Sequence, residues 1–367
     1  MTHATVNVLS GHGSKAPAAV LVEARGLRLL LDAGGPLYPG QPCDWHRGLD
    51  VDAVLLTHDH QDHTGSLHLL PEHIPVYATA ATARCLPAGR IWRELPTRGT
   101  TYIDGVAVRT GLSGHALGGV WLHLDVGGGV FYSGDFSCES LLFPFDLPPP
   151  AQLALLDASY GLYDQSRQVA SAALDQLLAG QPALLPVPPT GRALEIALWR
   201  HQHGHEDWSM DAECYENLTR LVYQSTDLLL PGVQQELREL MPRAAQFDPD
   251  AHLVLAGDPD GIRGMAGELI RQGGPGAFAS ADSLTGRLLV HTGYVAPHAP
   301  RGTHVLCWNV HPRLTDLRWL ANMLQPRYCM PLFTPMHDLG TWRNVLGRSL
   351  SLDGRWELEA ASGVLTA

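Results

Sequence analysis

The sequence predicts an α/β protein built in two styles, and three observations carry that expectation. Short apolar runs bounded by Gly and charged residues dominate up to Tyr160, with few helices between them. From Gln165 to His291, strand-like runs alternate with amphipathic helical stretches, and after His304 the first style returns. Runs of the first kind build two sheets covered on their outer faces. Runs of the second kind build a parallel sheet between helices, an αβα layer.

The elements follow in order. Ala18–Ala24 and Leu27–Asp32 are apolar strands joined by Arg25-Gly26, a tight hairpin connection. Asp52–Thr57 is a short strand of the buried type, and Ala78–Leu86 has helical composition. Val106–Leu112, Val120–Asp125, Gly129–Ser133 and Leu153–Asp157 continue as strands. Past Tyr160, helix Gln165–Ala179, strand Ala183–Val187 and helix Gly191–His201 follow, the last opening after Pro188-Pro189-Thr190. Helices Asp211–Gln224 and Val233–Leu240 precede strand His252–Ala256, helix Gly261–Arg271 and strand Arg287–His291. Strand His304–Asn309, helix Leu314–Leu324 and strand Tyr328–Phe333 complete the pattern, with no internal repeat and no low-complexity linker.

With 367 residues, 45% of them hydrophobic, the chain is long enough for an ample core and too apolar for disorder. A formal charge of −12 argues against a broad basic coat for nucleic acid, but a bound metal would add local positive charge in a cleft. The first residues show no basic region followed by an apolar run, and no stretch reaches the roughly 18 apolar residues of a membrane span. Cys43, Cys85, Cys138, Cys214, Cys307 and Cys329 form no CxxC pair, so free thiols in a reducing cytoplasm are expected.

The chemistry concentrates at Thr57-His58-Asp59-His60-Gln61-Asp62-His63, an HxHxDH pattern directly after a buried strand. On a loop, His58 and His60 reach one side while Asp62 and His63 turn toward a second point a few Å away. Imidazoles and carboxylates suit zinc, and two centres roughly 4 Å apart clamp the attacking and leaving oxygens of a displacement. Taken alone, His115 reads equally as loop residue or ligand, and Asp135 more readily as a turn residue.

The cluster resembles the signature of the metallo-β-lactamase superfamily, and the downstream order agrees with it. Gly114-His115-Ala116-Leu117-Gly118-Gly119 resembles the family's third motif and Tyr132-Ser133-Gly134-Asp135 its fourth; Asp32 resembles the aspartate that supports the histidine loop. Leu156-Asp157-Ala158-Ser159-Tyr160-Gly161 and Pro186–Glu195 resemble motifs of the β-CASP nucleases, the group of RNase J, the pre-mRNA 3′-end endonuclease and Artemis-type enzymes. His311 with Thr315-Asp316, and Met336-His337 after the last strand, fall where those enzymes carry histidines; His298 and His304 are neighbours that could replace His311. Three departures stand out. Asp338-Leu339 replaces the usual Gly-Glu, His337 lies two residues further from the preceding helix, and the inserted domain is short.

The resemblance implies a metallo-β-lactamase αββα sandwich, residues 1–166 and 303–367, with an inserted αβα β-CASP-type domain, residues 167–302. It implies two zinc ions, with manganese as the alternative. His58, His60 and His115 would hold one, Asp62, His63 and His337 the other, and Asp135 would bridge them. Asp62, His311 and Asp157 would be catalytic, His311 protonating the leaving oxygen, and Arg192 and Arg301 would bind substrate phosphates. The activity implied is hydrolysis of single-stranded RNA, rather than DNA, in the cleft between the domains, by a cytoplasmic protein with no membrane partner, alone or as a homodimer or with partner proteins. Two other readings compete: a hydrolase of a small ester, thioester or lactone, and a non-catalytic partner subunit.

Overall fold

Pleating determines the first layers. Along strands Ala19–Ala24 and Leu27–Leu31, the residues Ala19, Leu21 and Leu30 share one apolar cluster with Val54, Leu56, Val76 and Ala78. Their neighbours Val20, Val22, Leu29, Leu31 and Leu55 point to the opposite face and are buried too. A sheet buried on both faces needs a layer on each. The same holds for a second sheet, where Phe131, Ala154, Leu156 and Cys329 face one cluster and Val130, Tyr132, Leu153, Leu155 and Met330 are buried on the other side.

The computed structural model describes residues 3–223, 226–273, 286–293, 295 and 304–359. Arg301 and His298 lie outside the described residues. The chain divides into two compact units: Met1–Cys138 with Pro144–Asp164 and His311–Ala367, and Glu139–Phe143 with Gln165–Val310.

The first unit holds a seven-stranded and a six-stranded sheet. The seven-stranded sheet runs in the order Arg355–Leu358, Ala4–Ser10, Ala19–Ala24, Leu27–Leu31, Ala53–Leu55, Val76–Ala78, Trp92–Glu94. The six-stranded sheet runs Tyr328–Leu332, Leu153–Asp157, Val130–Tyr132, Val120–Leu124, Val106–Leu112, Gly99–Ile103. The hairpin at Arg25-Gly26 forms with both residues at positive φ, 54° and 80°, the backbone that a two-residue connection requires. Helices Leu314–Leu324 and Leu339–Leu346 cover the outer face of the six-stranded sheet through Leu317, Leu320, Leu324, Trp342 and Val345. The seven-stranded sheet is covered more thinly, by Trp45, Leu49 and the single turn Leu67–Leu69. This is the αββα sandwich, with one helical layer reduced. Ala78–Leu86 does not form a helix as expected. Ala78 ends a strand, and a single turn, Thr82–Cys85, closes before Pro87.

The second unit is a five-stranded parallel sheet in the order Trp208–Met210, Leu253–Gly257, Ala183–Val187, Leu288–His291, His304–Val305, with helices between its strands. The expected strand His304–Asn309 shortens to two residues, which pair with Val290 and His291, so this unit extends to Val310. Helix Ala212–Val222 starts where Asp211 accepts the Cys214 N–H at 2.9 Å, the usual service of an N-cap carboxylate. Helix Val233–Ala244 runs past the expected end at Leu240, with Pro242 in its last turn. No helix among the described residues is long and apolar enough to cross a membrane.

One buried carboxylate gathers two remote pieces of this unit. Glu195, 2% exposed, accepts from Ser140 Oγ at 2.5 Å, the Leu141 N–H at 3.0 Å and Trp308 Nε1 at 2.9 Å. Replacing it with Ala strands all three donors, at an expected cost of roughly 2–4 kcal/mol. Hydrogen exchange of strand Ala183–Val187 should then lose protection; unchanged protection would show the acceptor to be dispensable.

Candidate metal centre

The histidine cluster sits where strand Ala53–Leu55 ends. His58 and Asp59 are in an open loop, His60 is extended at φ −70°, ψ 151°, and Gln61–Thr64 form one helical turn carrying Asp62 and His63. The break between loop and turn sends the two pairs of side chains in different directions. His115 arrives on the loop after strand Val106–Leu112, and Asp135 follows strand Val130–Tyr132. Gly134 must be glycine: its φ is +53°, and a Cβ there would stand 2.7 Å from Thr57 Cβ.

Asp32 orients the group from below. It is fully buried at the end of strand Leu27–Leu31, itself at positive φ. Its Oδ1 accepts the Thr57 N–H at 2.8 Å; its Oδ2 accepts the hydroxyls of Thr57 and Tyr132, each at 2.8 Å, and meets His63 Nδ1 at 2.7 Å. A carboxylate only accepts, so His63 carries its proton on Nδ1 and presents Nε2 to the site. The Thr57 hydroxyl gives its one proton to Asp32, so it accepts from His58 Nδ1 at 3.1 Å. His58 likewise presents Nε2.

Those presented atoms lack partners. His58 Nε2, His63 Nε2 and Asp135 Oδ1 are buried without a hydrogen bond, although His63 Nε2 and Asp135 Oδ1 stand only 3.2 Å apart. Lone pairs that converge in this way call for a cation. Burial, with His63 and His60 alongside, holds the His58 pKa well below the usual histidine value, leaving a neutral ligand. Burial would lower the pKa of His63 too, but Asp135 and Asp32 outweigh it and raise it, so a proton and a metal compete for Nε2. Burial would raise the pKa of Asp135, yet His63, Lys15 and His311 keep it well below the usual carboxylate range.

Three groups of ligand-type atoms share Asp135, each group within 4.8 Å: His58, His60 and His115 with Asp135; Asp62 and His63 with Asp135; Asp157 and His311 with Asp135. The first offers three imidazoles and a carboxylate, a complete set for four-coordinate zinc. In the third, Asp157, fully buried, takes His311 Nδ1 at 2.8 Å and the Ser159 N–H at 2.9 Å. His311 is 13% exposed and lies against the rings of His115 and Tyr160 at 4.8 and 5.0 Å.

The structure does not bring His337 to either metal set. It is exposed and belongs to none of the three groups. The reason is where the strand stops. Tyr328–Leu332 ends at Leu332, and the chain has already turned at Phe333, φ +63°, four residues before His337. Arg192 is 9% exposed in the second unit, where its guanidinium lies against Gly293. A residue that no motif singled out joins the site instead. Lys15 Nζ is 3.2 Å from Asp62 Oδ2 and 3.1 Å from Ser159 Oγ. Burial opposes its charge, but Asp62, Asp135 and Asp157 outweigh that and hold its pKa above the usual lysine value. A lysine in the Gly- and Ser-rich stretch Gly11-His12-Gly13-Ser14 carries no local signal of this role.

Residues 28–158 match the model of the β-lactamase superfamily domain. Over 247 residues the chain is 26% identical to the transcription termination factor FttA of Cenarchaeum symbiosum, covering 53% of this chain and 38% of that protein. It is 30% identical over 229 residues to ribonuclease TTHA0252 of Thermus thermophilus, covering 51% and 52%. It is 25% identical over 248 residues to endoribonuclease YSH1 of Mycosarcoma maydis, covering 53% and 28%. The matched region thus spans about half or less of each relative's length. In fold, the chain is similar to a crystal structure of a protein of unknown function from Enterococcus faecalis V583, with TM-score 0.58, 13% identity and coverage of 97% and 100%.

Asp32→Asn should lower metal affinity by about 10–100-fold, because the Thr57 hydroxyl that holds His58 Nδ1 is itself anchored on that carboxylate. Competition against a chromophoric chelator reads this directly. Equal affinity, with unchanged circular dichroism, would show that His58 is held without that charge.

Proposed function

We propose, from the membership of residues 28–158 in the β-lactamase superfamily, that the chain is a metal-dependent nuclease cutting single-stranded RNA. Relatives named ribonuclease and endoribonuclease support the substrate class. The observation that carries the reading is His311: its Nδ1 is held by Asp157 at 2.8 Å, and its ring borders the three-histidine set.

His58, His60, His115 and Asp135 would hold a divalent cation, which would supply Lewis-acid chemistry to activate water and neutralise phosphoryl charge. Zinc fits these imidazoles best, and manganese is the alternative. The protein's own contribution is the proton. RNA cleavage expels a poor alkoxide, which must be protonated as the P–O bond breaks. With Nδ1–H donated to Asp157, His311 is oriented to deliver a proton from Nε2 to that oxygen. Asp157 is itself fixed by the Ser159 N–H, so the pair is oriented before substrate arrives.

Purified protein incubated with labelled single-stranded RNA should cleave it, and a chelator should abolish the cleavage. Retained cleavage in chelator would exclude the metal reading; intact RNA beside a cleaved ester or lactone would favour a small-molecule hydrolase.

His311→Ala should slow RNA cleavage by roughly 10²–10⁴-fold, yet barely affect a nitrophenyl phosphodiester whose leaving group needs no proton. Metal content should be unchanged. Equal losses on both substrates would rule out the acid role.

A further inference from the structure

The Asp62–His63 side of the centre is the poorer in ligands for a metal of its own. Among the described residues its ligand-type atoms are those of Asp62, His63 and Asp135, and Asp135 also belongs to the histidine set. The chain end that could add a ligand offers Phe333 instead, whose ring stands 5.7 Å from that of His63. Phe333 is buried, donates its N–H to Gly11 O at 2.7 Å and holds a φ of +63°, a conformation that bulky residues avoid unless their surroundings impose it. Gly11 yields to the same ring, since a Cβ there would meet Phe333 Cε1 at 2.6 Å.

Lys15 fills the remaining position. Its ammonium touches Asp62 Oδ2 at 3.2 Å and lies 5.3 Å from the centre of the Phe333 ring. An ammonium has three donors and no lone pair, so it neutralises carboxylates without ligating anything, and it repels a divalent ion from the carboxylate it occupies.

We propose that the centre is mononuclear: one metal at His58, His60, His115 and Asp135, with the Lys15 ammonium taking the place of a second cation beside Asp62. The inference rests on the metal-centre reading and not on the RNA substrate. It replaces the two zinc ions expected from sequence.

Metal-stripped full-length protein titrated with zinc by calorimetry, and checked by elemental analysis, should bind one equivalent. Lys15→Met keeps the reach of the side chain and removes the charge, and should tighten binding of a second equivalent at least tenfold. Two equivalents of similar affinity in the wild type overturn the proposal, and this measurement needs no variant to fold. One equivalent in the wild type with no gain in a folded Lys15→Met overturns the role given to Lys15. One equivalent bound without RNA cleavage counts against the substrate reading and supports this one.

Discussion

A carboxylate buried without contact to water is costly unless every lone pair finds a donor, and Asp32 meets that condition with donors from three parts of the first unit. Thr57 comes from the end of strand Ala53–Leu55, His63 from the turn that follows, and Tyr132 from the other sheet. The same four contacts therefore join the two sheets, end the strand that launches the histidine loop, and set which nitrogen of His58 and of His63 faces the site. Removing the charge would disturb fold and chemistry together, because one group serves both.

The site built on that base is a problem in charge. Asp62, Asp135 and Asp157 converge with little water to screen them, and imidazoles alone do not balance them. Each carboxylate finds its own solution. Asp157 is tied to His311 and the Ser159 N–H, Asp62 to Lys15, and Asp135 stands between them all with one oxygen unpartnered. That distribution separates the proposed roles: a cation on the histidine side, proton transfer at His311 and a fixed ammonium on the Asp62 side.

The second unit obeys a different constraint. Its strands Ala183–Val187, Leu253–Gly257 and Leu288–His291 are buried on both faces and read as unbroken apolar runs. Buried Glu195 and half-buried Glu139 act as acceptors that secure the strip Glu139–Phe143 to the helix opening and to Trp308 and Asn309.

What the sequence by itself determined is local. The spacing of His58, His60, Asp62 and His63, the hairpin at Arg25-Gly26 and the long apolar strands are each written within about ten residues, where periodicity and turn chemistry act. Strands such as Trp92–Glu94 and Gly99–Ile103 escaped because they are short or largely exposed and have little apolar alternation. Tertiary structure alone decided the rest. His304–Val305 joined the parallel sheet because Val290 and His291 offered an edge. His337 missed the site because a strand ended at Leu332, and a shift of a few residues beyond a strand end redirects a side chain entirely. Lys15 entered because folding brought it within 3.2 Å of a carboxylate 47 positions along the chain, and electrostatic attraction between residues so far apart leaves no periodic trace in a sequence.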